Sequence, residues 1–433
     1  MTRMYCKEIS ESEVETAEVA GWIHDIRNLG GIAFVLLRDR TGITQLTFLK
    51  KQNPELFKEV TSLNRESVIT ATGPVQRNEK VMNGFEILPG TVEILSEAAV
   101  PLPLGVADDI QSELDTRLDN RFLDLRREEI RDIFQVRSIL LRSTRTTLEA
   151  QGFLETQTPK IVAAATEGGT ELFPVKYFKR DAYLNQSPQL YKQILMATGL
   201  DRIYEIGPAF RAEEHDTVRH LNEFTSIDIE MAFSTDRDVM DLLEKVIIDG
   251  YDAIRKDAPD LMEKEHLKLP ETVEAFPKVT YTECVDIATS KGLDLPWGED
   301  LSMEATRLIC PELPDFYFIT DWPDEIKPFY AQPESEPDEN GHLTARGFDL
   351  MYREKELTSG AQRVHNVDLL AERIRARGMD PEGFEFYLKA FRYGMPPHAG
   401  WGLGAERWVM TVAGLDNIRE AVLFPRDMHR IVP

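Results

Sequence analysis

A chain of 433 residues exceeds one ordinary hydrophobic core, so two or three domains are expected. With 42% hydrophobic and 29% charged residues, and no apolar run near the ~20 residues of a membrane span, the composition is that of a soluble globular protein; the N-terminus carries no secretory apolar stretch, which points to the cytoplasm. The net charge of −25, taken alone, weighs against a polyanion-binding protein, although binding depends on where cations cluster rather than on the total, and the three scattered cysteines, Cys6, Cys284 and Cys310, fit neither a metal knuckle nor a disulfide framework.

Short β-type runs fill the first hundred residues: Val19–Ile26, Ile32–Arg38, Ile43–Leu49, Ser67–Val75 and Phe85–Leu95. Pro54–Leu63 reads as a helix between the third and fourth. Five strands with a helix in that place match an OB-fold barrel, whose open face binds oligonucleotides, ahead of other small barrels. Two prolines in Val100-Pro-Leu-Pro-Leu-Gly105 halt regular structure, which sets a first domain at 1–100, a short semi-rigid linker at 101–127 and a second domain at 128–433. From Glu128 to Gln151 the apolar residues Ile130, Ile133, Phe134, Leu141 and Leu148 recur at helical spacing, and Gly152 follows as a C-cap. Phe224–Phe233 alternates: Ile227, Ile229, Met231 and Phe233 form a core side, and Phe224, Ser226, Asp228 and Glu230 a polar working side. Asp236–Lys256 and Asp368–Arg377 read as helices, while the acidic, proline-rich stretch at about 259–345 reads as an insert without a usable motif.

The usual nucleotide signatures are missing: there is no G-x-x-x-x-G-K-[ST] loop, no dinucleotide fingerprint in a βαβ unit and no H-E-x-x-H. What remains is arginines and carboxylates on strand-like segments. Phe210–Phe224 ends a strand in Arg211, holds Glu213, Arg219, His220 and Leu221 in a polar loop, and opens the return strand with an aromatic. Arginine forks onto phosphate and an aromatic stacks on a base, although taken alone the segment reads sooner as a solvated hairpin with an incidental charge cluster. Ser187, Gln189 and Lys192 cluster near a helix start, which favours an anion or simply caps the helix. In Glu356–Arg363 a carboxylate and the Ser359 hydroxyl can hold Mg²⁺ and Arg363 can pair a carboxylate; otherwise the segment is a charged turn.

Taken together these segments resemble a family. Phe210–Glu230 is similar to class II synthetase motif 2, Gly402-Leu-Gly-Ala-Glu-Arg407 to motif 3, and Gly152–Pro159 to the end of motif 1. Gln186-Ser-Pro-Gln-Leu-Tyr-Lys192, Ala165-Thr-Glu-Gly-Gly-Thr170 and Tyr393-Gly-Met-Pro-Pro-His-Ala-Gly400 resemble the aspartyl-tRNA synthetases, in particular the shorter archaeal and eukaryotic type. The resemblance runs the length of the chain, and it implies an α+β fold: an N-terminal OB barrel followed by a class II antiparallel sheet flanked by helices. It further implies ligation of L-aspartate to tRNA through an aspartyl-adenylate, with ATP as substrate, Mg²⁺ as metal, and a homodimer built through the motif 1 helix.

Residue by residue, the resemblance assigns Arg211 and Arg407 to the α- and γ-phosphates as the catalytic pair, and Phe224 to adenine with Arg407 on its other face. It assigns Glu213, Arg219, His220, Leu221, Gly404, Ala405 and Glu406 to the ATP site, Glu356 to both ATP and Mg²⁺, and Ser359 to both Mg²⁺ and the aspartate site. Ser187, Gln189, Lys192, Asp228, Arg363 and His398 match aspartate-site positions, and Glu167 lies on the loop that closes over the amino acid. Lys192 and Arg363 both offer cations to a side-chain carboxylate, which favours aspartate over asparagine. On the barrel, Phe34, Gln45 and Glu86 match positions that stack on or hydrogen-bond anticodon bases, with Arg27 near the backbone. His24 and Met82 depart from members restricted to tRNA-Asp, in segments that would read the third anticodon base, and lead us to expect charging of tRNA-Asn as well. The alternatives are an asparaginyl enzyme, a non-catalytic tRNA-binding paralogue that would have no need of Arg211, Arg407 and Glu356, and an asparagine synthetase on the same core, which would lack the barrel.

Overall fold

The computed structural model describes residues 2–106, 112–163, 172–214, 217–267, 275–338 and 340–433, in two compact units, Met1–Arg127 and Glu128–Pro433. The first unit opens with a short helix α1 (Cys6–Ser10), then strands β1 (Thr16–Asn28), β2 (Ile32–Arg38) and β3 (Ile43–Leu49), helix α2 (Pro54–Thr61), and β4 (Val68–Arg77), β5 (Phe85–Ile87) and β6 (Thr91–Ser96). Asn53 caps α2 through its side chain, with Pro54 in the first turn, where a missing N–H is harmless. The strands close in the order β1–β2–β3–β5–β4, with β4 returning to β1 and β6 lying along β4. Ala17, Val19 and Ile23 of β1, Ala33, Val35 and Leu37 of β2, and Leu46 and Phe48 of β3 fill the core, so this is an OB barrel with one residue parity inside.

The run expected as one strand over Phe85–Leu95 is two. Pro89 has no N–H to give a ladder, and the chain there crosses close over β4: a Cβ on Gly73 would meet the Leu88 carbonyl oxygen at 2.2 Å. Two short helices, α3 (Leu114–Asp119) and α4 (Arg121–Asp124), complete this unit. Arg121 and Arg117 both engage the buried Asp124 there.

The second unit begins with α5 (Glu128–Ala150), which stops at Gly152 with φ +80°. Then come β7 (Leu154–Glu155), β8 (Ile161–Val162), the hairpin β9 (Pro174–Tyr177) and β10 (Arg180–Leu184), α6 (Gln189–Met196), β11 (Arg202–Phe210), β12 (Glu223–Ala232) and α7 (Asp236–Asp257). After α8 (Pro259–Met262) follow β13 (Lys278–Thr280), α9 (Tyr281–Ser290), α10 (Met303–Ile309), β14 (Phe316–Pro323), β15 (Thr344–Tyr352), β16 (Lys355–Arg363), α11 (Val367–Ala376), α12 (Glu385–Arg392), β17 (His398–Gly404) and α13 (Ala405–Val412). Eight strands form one sheet in the order β13–β14–β15–β16–β17–β12–β11–β7, antiparallel except for the pairs at its two ends. The stretch read as an insert therefore extends the sheet through β13 and β14. It builds its own core from Tyr281, Ala288, Ile309, Tyr317 and Trp322.

Helices α5, α7 and α13 cover one face. Gly250 lets α7 approach so closely that a Cβ there would meet Trp408 at 2.6 Å and Leu140 at 3.1 Å, and Trp401 donates from its indole N–H to the Val239 carbonyl. Ile227 and Ile229 of β12 point to this side. Phe233, expected among them, is 74% exposed: the strand ends at Ala232, and Phe233 takes a left-handed turn (φ +55°) into the capping box of α7 at Thr235. Leu141, also expected in the core stripe of α5, is half-buried. The stripe runs instead through Val136, Leu140, Ser143 and Thr147, and the latter two hydrogen-bond Asp249 of α7.

On the opposite face β17 carries glycine at alternate positions 400, 402 and 404. A Cβ at Gly400 would lie 2.1 Å from the Glu230 carboxylate and 2.3 Å from the Ile229 carbonyl oxygen, and one at Gly402 3.1 Å from Asp228. The row of glycines clears the space that acidic side chains of β12 occupy. We expect Gly400→Ala to destabilise the second unit by about 2 kcal/mol or more, because backbone and a buried carboxylate cannot both give way; a urea-denaturation difference below about 0.5 kcal/mol would contradict this packing.

Candidate functional site

The face with the glycines floors a cavity of about 270 Å³. Of the expected residues it brings together Ser187, Gln189, Arg211, Glu213, Arg219, His220, Leu221, Phe224, Asp228, Glu356, Ser359, Arg363, Gly404, Glu406 and Arg407. Lys192, His398 and Ala405 are buried but do not line it, and Glu167 lies outside the described residues.

One end of the cavity is floored by four buried charges. Arg363 donates from Nε and Nη2 to the two oxygens of Glu230 at 3.0 and 3.3 Å. Lys192 lies 2.9 Å from Asp228, donates to the Trp401 carbonyl at 3.0 Å, and sits 3.6 Å from Glu230. Their side chains are 5% exposed or less. Two cations and two anions cancel, which is what makes their burial tolerable. Lys192 thus acts from beneath the floor, orienting Asp228, whose other oxygen accepts from the Ser226 hydroxyl at 2.5 Å. Arg363, with Nη1 making no hydrogen bond to the described residues, is the cation that opens on the cavity. Burial opposes its charge, but Glu230 more than offsets this and holds the guanidinium protonated. His398 stands one strand position further along the same face, paired across to Arg363 and to Ala232. Its Nδ1–H donates to the Pro396 carbonyl at 2.8 Å, leaving Nε2 buried without a partner, and burial drives its pKa down to about 4.

The other end carries cations with room to move. Arg211 lies over the Phe224 ring, 5.3 Å from its centroid. Arg407 faces Glu356 at 3.9 Å and donates to His220 Nε2 at 3.4 Å. His220 Nδ1 then donates to Thr217, so the ring is neutral with its proton on Nδ1, in keeping with burial and Arg407 lowering its pKa. Arg219 rests against the Met303 sulfur at the start of α10. Glu406 reaches the cavity, but its carboxylate is engaged by Arg137 at 2.8 Å and by the Thr225 backbone N–H at 3.0 Å, tying α13 to α5 and β12.

Glu356 and Ser359 share the cavity face although three residues apart, which strict alternation forbids. Met351 pairs with Glu356 while Leu350 pairs with Thr358, so Leu357 is an extra residue and the bulge returns both oxygens to one side. Asp349 pairs across from Ser359, with its carboxylate held by Lys327 at 2.8 and 3.0 Å. Half of the Glu356 side chain is accessible to the cavity, yet protein encloses it. Burial, then the neighbouring Asp349 charge, push its pKa up.

In the first unit the expected base-reading residues lie on the outer barrel face. Phe34 is opposite Arg27 and Thr47, and Gln45 opposite Glu86. Phe34 has the parity that points away from the core of Ala33, Val35 and Leu37, which excludes a plain core role. Glu86 accepts from Thr47, from Gln45 at 3.2 Å and from Asn78 at 3.3 Å, so its carboxylate is fixed. Arg27 is exposed and pairs with Asp25 at 3.1 Å. His24 sits at a bulge of β1, where its Nδ1 accepts from Arg38 at 3.0 Å. Met82 opens the turn Met82–Gly84, and its side chain lies outside the described residues.

Comparison with known proteins matches these two units to two families. Residues 113–428 match the tRNA synthetases class II (D, K and N), and residues 17–95 the OB-fold nucleic acid binding domain. The chain is 52% identical over 435 residues to an aspartate–tRNA(Asp/Asn) ligase of Archaeoglobus fulgidus, with 100% of both chains covered. It is 53% identical over 424 residues to the protein of that name from Methanocaldococcus jannaschii, covering 98% of this chain and 96% of the relative. The chain belongs to the class II tRNA synthetases. Among solved structures, this synthetase superposes with a TM-score of 0.91 at 32% identity on asparaginyl-tRNA synthetase from Pyrococcus horikoshii complexed with asparaginyl-adenylate, with 100% of each chain covered.

Several residues in or beneath this synthetase's cavity carry no assignment from sequence. Ser226 and Glu230 were legible as part of the polar side of β12 by alternation, but not as partners of Asp228 and Arg363. Lys327, Asp349 and Tyr330 gave no local signal, since their pairing depends on which strands the sheet places side by side. The buried neutral His398 has a testable consequence. Its folded pKa lies below the ordinary 6.5, so the unfolded chain binds the proton first as pH falls. Stability from this residue is complete above about pH 6.5 and is lost down to about pH 4, by roughly 3 kcal/mol. Urea denaturation of the wild type should lose that much more over this range than His398→Gln; parallel curves would contradict a buried neutral imidazole.

Proposed function

We propose that this class II synthetase activates L-aspartate with ATP and transfers it to tRNA-Asp and also to tRNA-Asn. The observation that carries aspartate is Arg363. It is a fully charged guanidinium fixed by Glu230 at the closed end of the cavity, with Nη1 still open to the interior. A side-chain carboxylate accepts a charge-assisted hydrogen bond from that open Nη1, stronger than the bond a neutral amide oxygen accepts, and the amide's N–H₂ would face the guanidinium donors. Asp228, oriented by Lys192 and Ser226, is placed to receive the ammonium group of the amino acid, with Ser187, Gln189, His398 and Glu167 completing the amino-acid site as the family resemblance implies. The 52% identity to ligases named for both tRNAs supports the substrate and the relaxed tRNA choice.

The amino-acid carboxylate attacks the α-phosphorus and pyrophosphate departs, a reaction that needs oriented positive charge more than a nucleophilic side chain. Arg211 on the α-phosphate, Arg407 on the γ-phosphate, and Glu213, Arg219 and His220 around the ATP fulfil that need, with adenine on Phe224. Neutral His220 can donate or accept near these cations without adding charge. Glu356 and Ser359 fit Mg²⁺: they are hard oxygen donors turned to one side by the bulge, with Asp349 next to them, and the repulsion between the carboxylates is what a divalent cation relieves. When bound, Mg²⁺ supplies charge neutralisation to the phosphates. On the barrel, Phe34 stacks on an anticodon base, Gln45 and Glu86 hydrogen-bond, and Arg27 meets the backbone, with His24 and Met82 where the third base is read. The working form is a homodimer in the reducing cytoplasm, in keeping with three free cysteines. It joins through α5 and β7, the edge strand of the sheet, where Leu154 is 52% exposed.

Aspartate-dependent ATP–pyrophosphate exchange, followed by charging of tRNA-Asp and tRNA-Asn transcripts, tests this reading. Arg363→Ala and Lys192→Ala should each abolish exchange, and the wild type should aspartylate tRNA-Asn within about tenfold of tRNA-Asp. Near-normal exchange in either variant removes the basis for aspartate, and a deficit of about a hundredfold or more on tRNA-Asn removes the relaxed tRNA choice.

A further inference from the structure

The hairpin of β9 and β10 presents Lys176, Tyr177, Phe178, Lys179 and Arg180 at its tip, all of them exposed. Phe178 is 84% exposed and Tyr177 46%, with the two rings edge to face at 5.1 Å. None of the three cations forms an ion pair with the described residues. In a chain of net charge −25, unpaired cations interleaved with solvent-facing rings are the reverse of the average surface, and they have the chemistry of a single-stranded nucleic-acid platform: rings for bases and cations for phosphates.

The turn itself points the same way. Tyr177 pairs with Arg180, so Phe178 and Lys179 form a two-residue loop, a place that favours glycine, asparagine or aspartate because the backbone needs positive φ. Phe178 occupies it at φ +57°, so a bulky ring is held in a strained backbone while touching little beyond the Tyr177 ring. Such strain marks a functional position when the residue's own packing gives no reason for it. From the tip β10 leads directly into the cavity wall at Ser187 and Gln189, the seven residues from Arg180 to Ser187 spanning at most ~23 Å.

We propose that this hairpin binds the unpaired 3′ strand of the tRNA, with Phe178 stacked on a base and Lys176, Lys179 and Arg180 on its phosphates. The inference rests on the synthetase reading, because the terminal ribose must reach the adenylate formed in the cavity, whose wall begins a few residues along the chain from the hairpin. Stacking and phosphate contacts tolerate any base, which suits a 3′ end common to all tRNAs. A cation and ring patch alone would also fit an anionic membrane; continuity with the cavity wall decides for RNA.

Phe178→Gly in the full-length protein removes the ring while giving the turn the residue it favours, so the fold is not at risk. Exchange without tRNA and the melting temperature should match the wild type, while KM for tRNA in aminoacylation rises about 5- to 100-fold, the loss of one stacked base. The triple variant Lys176→Gln, Lys179→Gln, Arg180→Gln should raise KM and flatten the slope of log KM against log salt by roughly two, as for three phosphate contacts on a single strand. An unchanged KM for tRNA overturns the proposal, and so does an equal loss of exchange and charging, which would make the hairpin part of the cavity framework. Absence of aspartate-dependent exchange in the wild type would overturn the aspartate reading instead, and tRNA retention by filter binding would still report on the hairpin.

Discussion

Burying four charges under the floor of one cavity is the constraint around which the second unit is arranged. Lys192, Asp228, Glu230 and Arg363 come from a helix and two strands, β12 and β16, that are not neighbours in the sheet. Between those strands runs β17, and it must be nearly bare: glycine at 400 and 402 leaves the space that the carboxylates take. Buried ion pairs of this kind are poor stabilisers compared with apolar residues of the same volume. Their value lies in geometry. A guanidinium whose fork is closed on Glu230 has one direction left in which to donate, and a carboxylate held by a lysine and a serine has one oxygen arrangement to offer. In the proposed function, selectivity for a ligand with a carboxylate at one end and an ammonium at the other follows from charges that cannot move.

The opposite end of the cavity is built on the contrary principle. Arg211, Arg219 and Arg407 rest on a ring, a thioether and a half-accessible carboxylate, contacts weak enough to exchange for phosphate oxygens. Neutral His220 lies among them and adds no charge of its own. The bulge at Leu357 serves this end by turning Glu356 and Ser359 to the same side. In the proposed function, rigid recognition of the amino acid and adaptable grip on the phosphates share one face of a single sheet, whose other face packs on the helices.

Much of this was legible in the sequence, and the reason differs from element to element. The barrel strands, the alternation of β12 and the helix ended by Gly152 follow from local periodicity, and the site residues from motifs carried by the family resemblance. Local pattern failed where a tertiary requirement overrode it: Pro89 breaks the fifth barrel run where the chain crosses Gly73, and Phe233 leaves the core parity because β12 has already turned. It also failed for pairings between distant strands. Nothing near Lys327 in sequence announces Asp349, and Lys192 reads as a cation offered to substrate when its ammonium group is already taken up by Asp228. The bulge that unites Glu356 with Ser359 is invisible to a count of alternate residues.

Direct binding isolates the central claim from catalysis and from tRNA. Calorimetric titration of the wild-type protein with the non-hydrolysable sulfamoyl analogues of aspartyl-adenylate and asparaginyl-adenylate compares two ligands that differ by one carboxylate. A buried, fixed Arg363 with Glu230 at its back should bind the aspartyl analogue at least about a hundredfold more tightly. Equal affinity, or preference for the asparaginyl analogue, would contradict the assignment of these buried charges to recognition of aspartate.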